Sequence, residues 1–245
     1  MSQPARRDVL KSLALGGGLT LIVGPVAHAL APRPPGQPAD PATRWALLVD
    51  TRACKVDCAA CVDACNREMG LKQPTDPDFD PAHDAQYIRK VTLRDPDTGH
   101  TTAPPVMCQH CAKPPCVDVC PTGASMQRAD HIVQVDKHLC IGCRYCMMAC
   151  PYKARSFVHQ DLTDQKPHNP RGKGCVESCN LCVHRIDRGE PPACVAACQR
   201  DGGGAMVFGD LADPNSDLNR RLAEAGGHRI RADLGLDTGV YYQGL

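Results

Sequence analysis

The stretch C-I-G-C-R-Y-C-M-M-A-C-P (Cys140–Pro151) sets thiols at Cys140, Cys143, Cys146 and Cys150 and closes on a proline. Its spacing is C-x2-C-x2-C-x3-C. Working outward, 16 of the 17 cysteines fall into four such groups. Cys54, Cys58, Cys61 and Cys65 are spaced C-x3-C-x2-C-x3-C, and Cys108, Cys111, Cys116 and Cys120 are spaced C-x2-C-x4-C-x3-C before Pro121. Cys179, Cys182, Cys194 and Cys198 are spaced C-x2-C-x11-C-x3-C. Every group ends in C-x3-C.

Three chemistries compete for these thiols. Disulfides need Cα atoms about 5.5 Å apart with converging Cβ vectors, which thiols two residues apart serve poorly. Zinc favours two C-x2-4-C pairs separated by a longer spacer, not three crowded thiols and a C-x3-C-P. The Cys140–Pro151 run instead matches the bacterial ferredoxin pattern, in which a tight loop wraps three corners of a cubane and the fourth cysteine serves the other cluster. The reading is therefore iron–sulfur, with Cys150 crossing to a neighbour and four groups making four [4Fe–4S] clusters in two reciprocal pairs.

The rest of the chain fits a fold held by such bonds. Of 245 residues, one is Trp, three are Phe and five are Tyr, while Pro and Gly number 22 and 21. That composition favours loops and turns over a large apolar core, and thiolate–iron bonds between distant segments would cross-link it. Residues 1–30 read as a twin-arginine export signal: Arg6-Arg7, then Val9-Leu10-Lys11, an uncharged run from Ser12 to Pro32, and the small-x-small triplet Ala27-His28-Ala29. A permanent anchor is the alternative, but the run is rich in Gly and broken by Pro. Cleavage after Ala29 takes the net charge from +1 to −1, so no basic excess points to nucleic acid. The twin-arginine route carries folded proteins, which reconciles export with clusters built in a reducing compartment. Residues 31–43 read as a Pro-rich linker and 44–209 as the cluster-bearing body, with 210–245 a C-terminal extension.

Strands are expected at Arg44–Asp50, His131–Asp136 and Met206–Phe208, single helical turns at C-x3-C segments such as Cys116–Cys120, and a short exposed helix at Asp217–Ala225. No G-x-S-x-G, H-E-x-x-H or nucleotide-binding glycine fingerprint occurs, and Gly202–Gly204 read as a turn. With four protein thiolates per cluster, no iron keeps an open position, and electron transfer remains. Cys175, outside the repeat, reads as a spare thiol. His110 and His184 are either donors to sulfur or partly exposed loop histidines. Met147 and Met148 are expected to cover a cluster. Arg144 and Lys153 are either potential-raising or merely solvated.

From Trp45 to Tyr242 the chain resembles the four-cluster ferredoxin-like subunits of molybdopterin oxidoreductases and quinone-linked membrane complexes. The resemblance is carried by M-C-Q-H-C-A-K-P-P-C-V-D-V-C-P-T-G-A, C-I-G-C-R-Y-C-M-M-A-C-P-Y and C-N-L-C-V-H-R-I-D-R-G-E-P-P-A-C-V-A-A-C. It implies an α+β, loop-rich fold of tandem bicluster units, the second and third groups (104–157) forming one unit and the first and fourth the other. The ligand sets it implies are Cys54/Cys58/Cys61/Cys198, Cys65/Cys179/Cys182/Cys194, Cys108/Cys111/Cys116/Cys150 and Cys120/Cys140/Cys143/Cys146. Thr51–Cys61, Arg171–Cys182 and the ending Phe208–Ser216 with Leu234–Tyr242 look most like the periplasmic iron–sulfur subunits of Dsr membrane complexes of dissimilatory sulfur metabolism. That branch implies an integral membrane quinone-interacting partner and a periplasmic multihaem cytochrome c, the chain itself being peripheral to the membrane. The alternatives are a subunit of a tetrathionate, polysulfide or nitrite reductase, or a free soluble polyferredoxin. Gln199 departs from the proline expected after the last cysteine.

Overall fold

The computed structural model describes residues 32–34, 36–163 and 165–245, so the export signal expected over residues 1–30 lies outside the described residues. Strand β1 (Trp45–Asp50) is a continuous apolar run because both of its faces are covered. It is the centre of a three-stranded sheet, antiparallel to β10 (Met206–Asp210) and parallel to β11 (Val240–Gln243). Leu47 and Val49 point into the main core with Met206, Val240 and Tyr242, while Ala46, Leu48 and Val207 face helix α6 (Asp217–Ala225) and its buried Leu218. Each such buried aliphatic side chain stabilises the fold by about 1.5–3 kcal/mol. Residues 210–245 are thus part of the body: β10 crosses the 209/210 boundary and β11 completes the sheet.

The other strands form two-stranded pairs. They are β2 (Ile88–Lys90) with β5 (Pro105–Met107), β3 (Leu93–Arg94) with β4 (Thr101–Thr102), β6 (Ser125–Gln127) with β7 (Val133–Val135), and β8 (Ser156–Phe157) with β9 (Val176–Glu177). The strand expected over 131–136 is realised in its middle as β7.

Each C-x3-C sits on or beside a helix. Helix α1 (Ala60–Met69) buries Cys61, Val62, Cys65, Asn66 and Met69, one stripe at i, i+4, i+8 spacing. It ends at Gly70, whose φ of 67° is the left-handed cap. Helices α2 (Pro115–Asp118), α3 (Tyr145–Ala149) and α4 (Val183–Ile186) are single turns carrying or following Cys116, Cys146 and Cys182. Helix α5 (Ala193–Asp201) carries Cys194 and Cys198. α1 packs on α5, and α2 on α3.

The proline missing after Cys198 has a local effect. Pro121 and Pro151 follow α2 and α3, where a proline cannot continue a helix. Gln199 lets α5 run to Asp201, and its side-chain amide donates to the Met206 carbonyl at 2.6 Å. The Pro-rich segment is also pinned: Arg33 bonds the Asp187 carbonyl through its backbone N–H and the Asp187 carboxylate, at 2.6 Å, through its guanidinium.

Candidate functional site

Eleven of the cysteines lie inside the main apolar core, so the thiols occupy the place that aromatic residues fill in other folds. All 17 are free thiols. The loops that carry them are wound by left-handed residues: His110 (φ 42°) between Cys108 and Cys111, Gly142 (71°) and Arg144 (65°) in the opening stretch, and Leu181 (57°) and Cys182 (51°) in the last group. Each non-glycine among them costs of order 1 kcal/mol or more. At Leu181 the winding aims a backbone N–H at a sulfur, and two further backbone N–H groups reach sulfurs from neighbouring segments. Cys120 Sγ accepts from Ser125 N–H at 3.3 Å, Cys140 Sγ from Val176 N–H at 3.4 Å and Cys179 Sγ from Leu181 N–H at 3.4 Å.

Mutual electrostatic effects report which thiols are neighbours. Burial, then Cys198, Cys54 and Cys58, push Cys61 up to about 12. Burial, then Cys179, Cys194 and Cys182, push Cys65 well above its ordinary range. Burial, then Cys108, Cys116 and Cys150, push Cys111 up to about 12. Burial also raises Cys146; Arg155 opposes it, and Cys116 and Cys120 add to it. Cys61 therefore faces Cys198, and Cys65 faces Cys194, so α1 and α5 run in opposite directions. Cys116 and Cys120 meet Cys150 and Cys146 in the same crossed manner. Cys140 and Cys143 occupy the loop leading into α3, partly buried and exposed respectively.

The sets also neighbour one another in succession. Cys61 lies within the field of Cys65, Cys108 within that of Cys179, and Cys116 within that of Cys146. The order is thus Cys54/58/61/198, Cys65/179/182/194, Cys108/111/116/150, Cys120/146. The two middle groups of thiols are all buried, whereas Cys54, Cys58, Cys120, Cys140 and Cys143 reach the surface. Flanking Cys120, Cys140 and Cys143 in sequence are exposed Val119, Leu139, Ile141 (68%), Tyr145 and Met148 (67%), and exposed Val56 lies between Cys54 and Cys58.

The donor chemistry fits iron–sulfur clusters. Converging thiolates repel one another in a buried place and hold protons tightly; iron displaces those protons and brings the opposing charge. Cys108, Cys111, Cys116 and Cys150 line one cavity with Pro114, Pro115, Val133, Tyr152, Ala154 and Arg155, apart from Arg155 a mostly apolar wall.

The remaining candidates separate clearly. His110 is buried, and burial followed by Arg155 lowers it to about 3. Its neutral ring accepts from Val133 N–H at Nδ1, 3.1 Å away, and is not an exposed loop histidine. His184 bonds Glu68 at 2.7 Å and stacks on His168 at 3.9 Å, with Arg185 3.5 Å from the same carboxylate. Met147 packs on the core, but Met148, one position around the helix, is exposed. Arg144 lies over the Phe157 ring at 3.7 Å, and Lys153 is exposed. Cys175 is buried, its thiol donating to the Lys137 carbonyl at 3.3 Å beside Cys140. Arg155 and the Arg171–Glu177 pair went unnoticed in the sequence; only the R-x5-E spacing before Cys179 hints at the latter.

Residues 100–211 match the family described as "4Fe-4S dicluster domain". The chain is 42% identical to the Hdr-like menaquinol oxidoreductase iron–sulfur subunit 1 of Archaeoglobus fulgidus, over 82% of this chain and 84% of that protein. It is 34% identical to a tetrathionate reductase subunit of Salmonella typhimurium, over 98% of this chain and 88% of that protein. It is also 34% identical to a sulfite dehydrogenase subunit of Allochromatium vinosum, over 82% of each.

Proposed function

The chain belongs to the iron–sulfur subunits of multi-subunit oxidoreductase complexes that carry the 4Fe-4S dicluster domain, and from that premise we propose a four-cluster electron wire between a membrane quinone module and periplasmic haem. The protein is an electron-transfer iron–sulfur subunit. The ligand sets we assign are Cys54/Cys58/Cys61/Cys198, Cys65/Cys179/Cys182/Cys194, Cys108/Cys111/Cys116/Cys150 and Cys120/Cys140/Cys143/Cys146, in two tandem bicluster units. The observation that supports this reading is the succession of neighbouring thiol sets, two of them wholly buried and two with thiols that reach the surface. A bound cluster supplies one-electron storage; the chain's part is to hold, insulate and order the stations. In these sets every iron would have a cysteine, which would leave substrate chemistry to the partners.

The patch of Leu139, Ile141, Tyr145 and Met148 is the more apolar end, and we assign it to the integral membrane quinone-interacting partner. The end at Cys54 and Cys58, beside Lys55 and Lys90, faces a periplasmic multihaem cytochrome c. The menaquinol oxidoreductase relative supports the quinone link, and the tetrathionate reductase and sulfite dehydrogenase relatives support a place in sulfur metabolism. Within it we favour the iron–sulfur subunit of a Dsr-type membrane complex, on the Thr51–Cys61 and Arg171–Cys182 motifs. Export to the periplasm rests on the signal in residues 1–30.

The test is anaerobic purification from detergent-solubilised membranes. The chain should co-purify with an integral membrane protein and carry about 16 iron and 16 acid-labile sulfide, four of each per cluster. Recovery as a lone soluble monomer overturns the complex, and iron near 12 overturns the fourth cluster.

A further inference from the structure

Arg155 is 6% exposed, yet among the described residues no carboxylate lies within ion-pair distance of it. The other two most deeply buried arginines, Arg128 and Arg171, each have one: Asp130 and Asp187 for the first, Glu177 for the second. A guanidinium remains charged under all working conditions, and an unpaired buried charge costs several kcal/mol. Something anionic must therefore stand beside it. Its neighbours are thiols. Nη2 donates to Cys116 Sγ at 3.0 Å and to the Ser125 hydroxyl at 2.8 Å, Nη1 has no partner, and Cys108 and Cys146 lie in its field. Ser125 in turn gives its backbone N–H to Cys120 Sγ at 3.3 Å. Arg155 thus contacts the Cys108/Cys111/Cys116/Cys150 set directly and the Cys120/Cys140/Cys143/Cys146 set through Cys146 and Ser125.

We propose that Arg155 is the shared counter-charge of these two clusters, a tuning residue that raises both of their reduction potentials relative to the other pair. A cubane held by four thiolates is an anion and gains a further negative charge on reduction. A fixed cation beside it stabilises the reduced form more than the oxidised one, and a low local dielectric magnifies the difference. Two stations of the wire become better electron acceptors than their own ligands would make them, and the guanidinium, placed between them, keeps their potentials moving together.

This inference rests on the four-cluster reading, and the experiment separates the two. Wild-type protein is first shown to carry about 16 iron and 16 sulfide per chain; a lower count fails the cluster reading, not Arg155. The four midpoint potentials are then read by anaerobic redox titration with electron paramagnetic resonance. Arg155→Gln is expected to lower two of the four and leave two unmoved, and Arg155→Lys to restore most of the loss. A fully loaded Arg155→Gln with all four potentials unmoved, or all four shifted alike, overturns the proposal. Should Arg155→Gln lose its clusters, Ser125→Asp keeps the guanidinium but sets a carboxylate against it. The same two potentials should fall, and their holding steady in a loaded Ser125→Asp protein overturns the proposal equally.

Discussion

Glu177 is completely buried, and Arg171 is what makes its charge tolerable. The guanidinium grips both carboxylate oxygens at 2.8 and 2.9 Å, and its third nitrogen donates to the Gly70 carbonyl at the end of α1. The Tyr87 hydroxyl adds a bond at 3.3 Å. Removing one partner of such a pair strands the other charge, so Arg171→Ala should lower the free energy of unfolding by about 3–5 kcal/mol. Anaerobic guanidinium titration of the holoprotein measures it, and an effect below about 1 kcal/mol would remove the pair from the stability account. The double variant Arg171→Met with Glu177→Leu should recover most of the loss, because an apolar pair leaves no charge behind. At this scale the sequence is only partly legible. Cysteines announce themselves because a cluster dictates the intervals between its ligands. A single arginine carries no interval, so Arg155 reads like Arg144 and Lys153. Only packing separates the buried cation from the one stacked on Phe157 and the one in water.

Between elements, one close approach involves Gly142. A Cβ there would meet the Gly174 carbonyl oxygen at 2.2 Å, and φ at 142 is +71°, a conformation that glycine alone adopts without strain. This contact lays the 172–175 loop against the Cys140–Cys143 loop and aims Val176 N–H at Cys140 Sγ. Gly142→Ala should push the loops apart and cost the outer cluster there, about four iron per chain. Iron analysis of the anaerobic protein reads it directly, and full iron content would sink the assignment. The Gly in C-I-G-C is visible in the sequence, but its opposing Gly174 is not, since nothing local says which loops will touch. Helical turns at C-x3-C were legible for a plainer reason: thiols four residues apart share a helix face. The extra length of α5 followed from the absence of proline at 199, readable only with the turn that receives Gln199.

As a whole, the molecule carries buried thiol sets between exposed ends, and the docking assignment belongs at this scale. Ile141→Asp is expected to strip the protein from the proposed integral membrane partner during detergent purification while leaving iron content unchanged. Leu234→Asp, at an exposed apolar position outside the proposed docking patch, is the control and should co-purify normally. Equal retention of both variants would move the membrane contact elsewhere. The number of thiol groups was legible from spacing. Their order in space was not, because spacing says which thiols share a loop and not which loops are neighbours. The return of residues 210–245 was equally hidden, since β11 joins β1 in parallel from the far end of the chain. That pairing bears on how the protein is made. On the ribosome β1 emerges early, but its second neighbour arrives only when residue 243 has cleared the exit tunnel. The cysteines of the second and third groups can find one another well before that moment, while the sheet stands half-built. An unfinished chain therefore carries a bare strand edge along β1 until its last residues arrive.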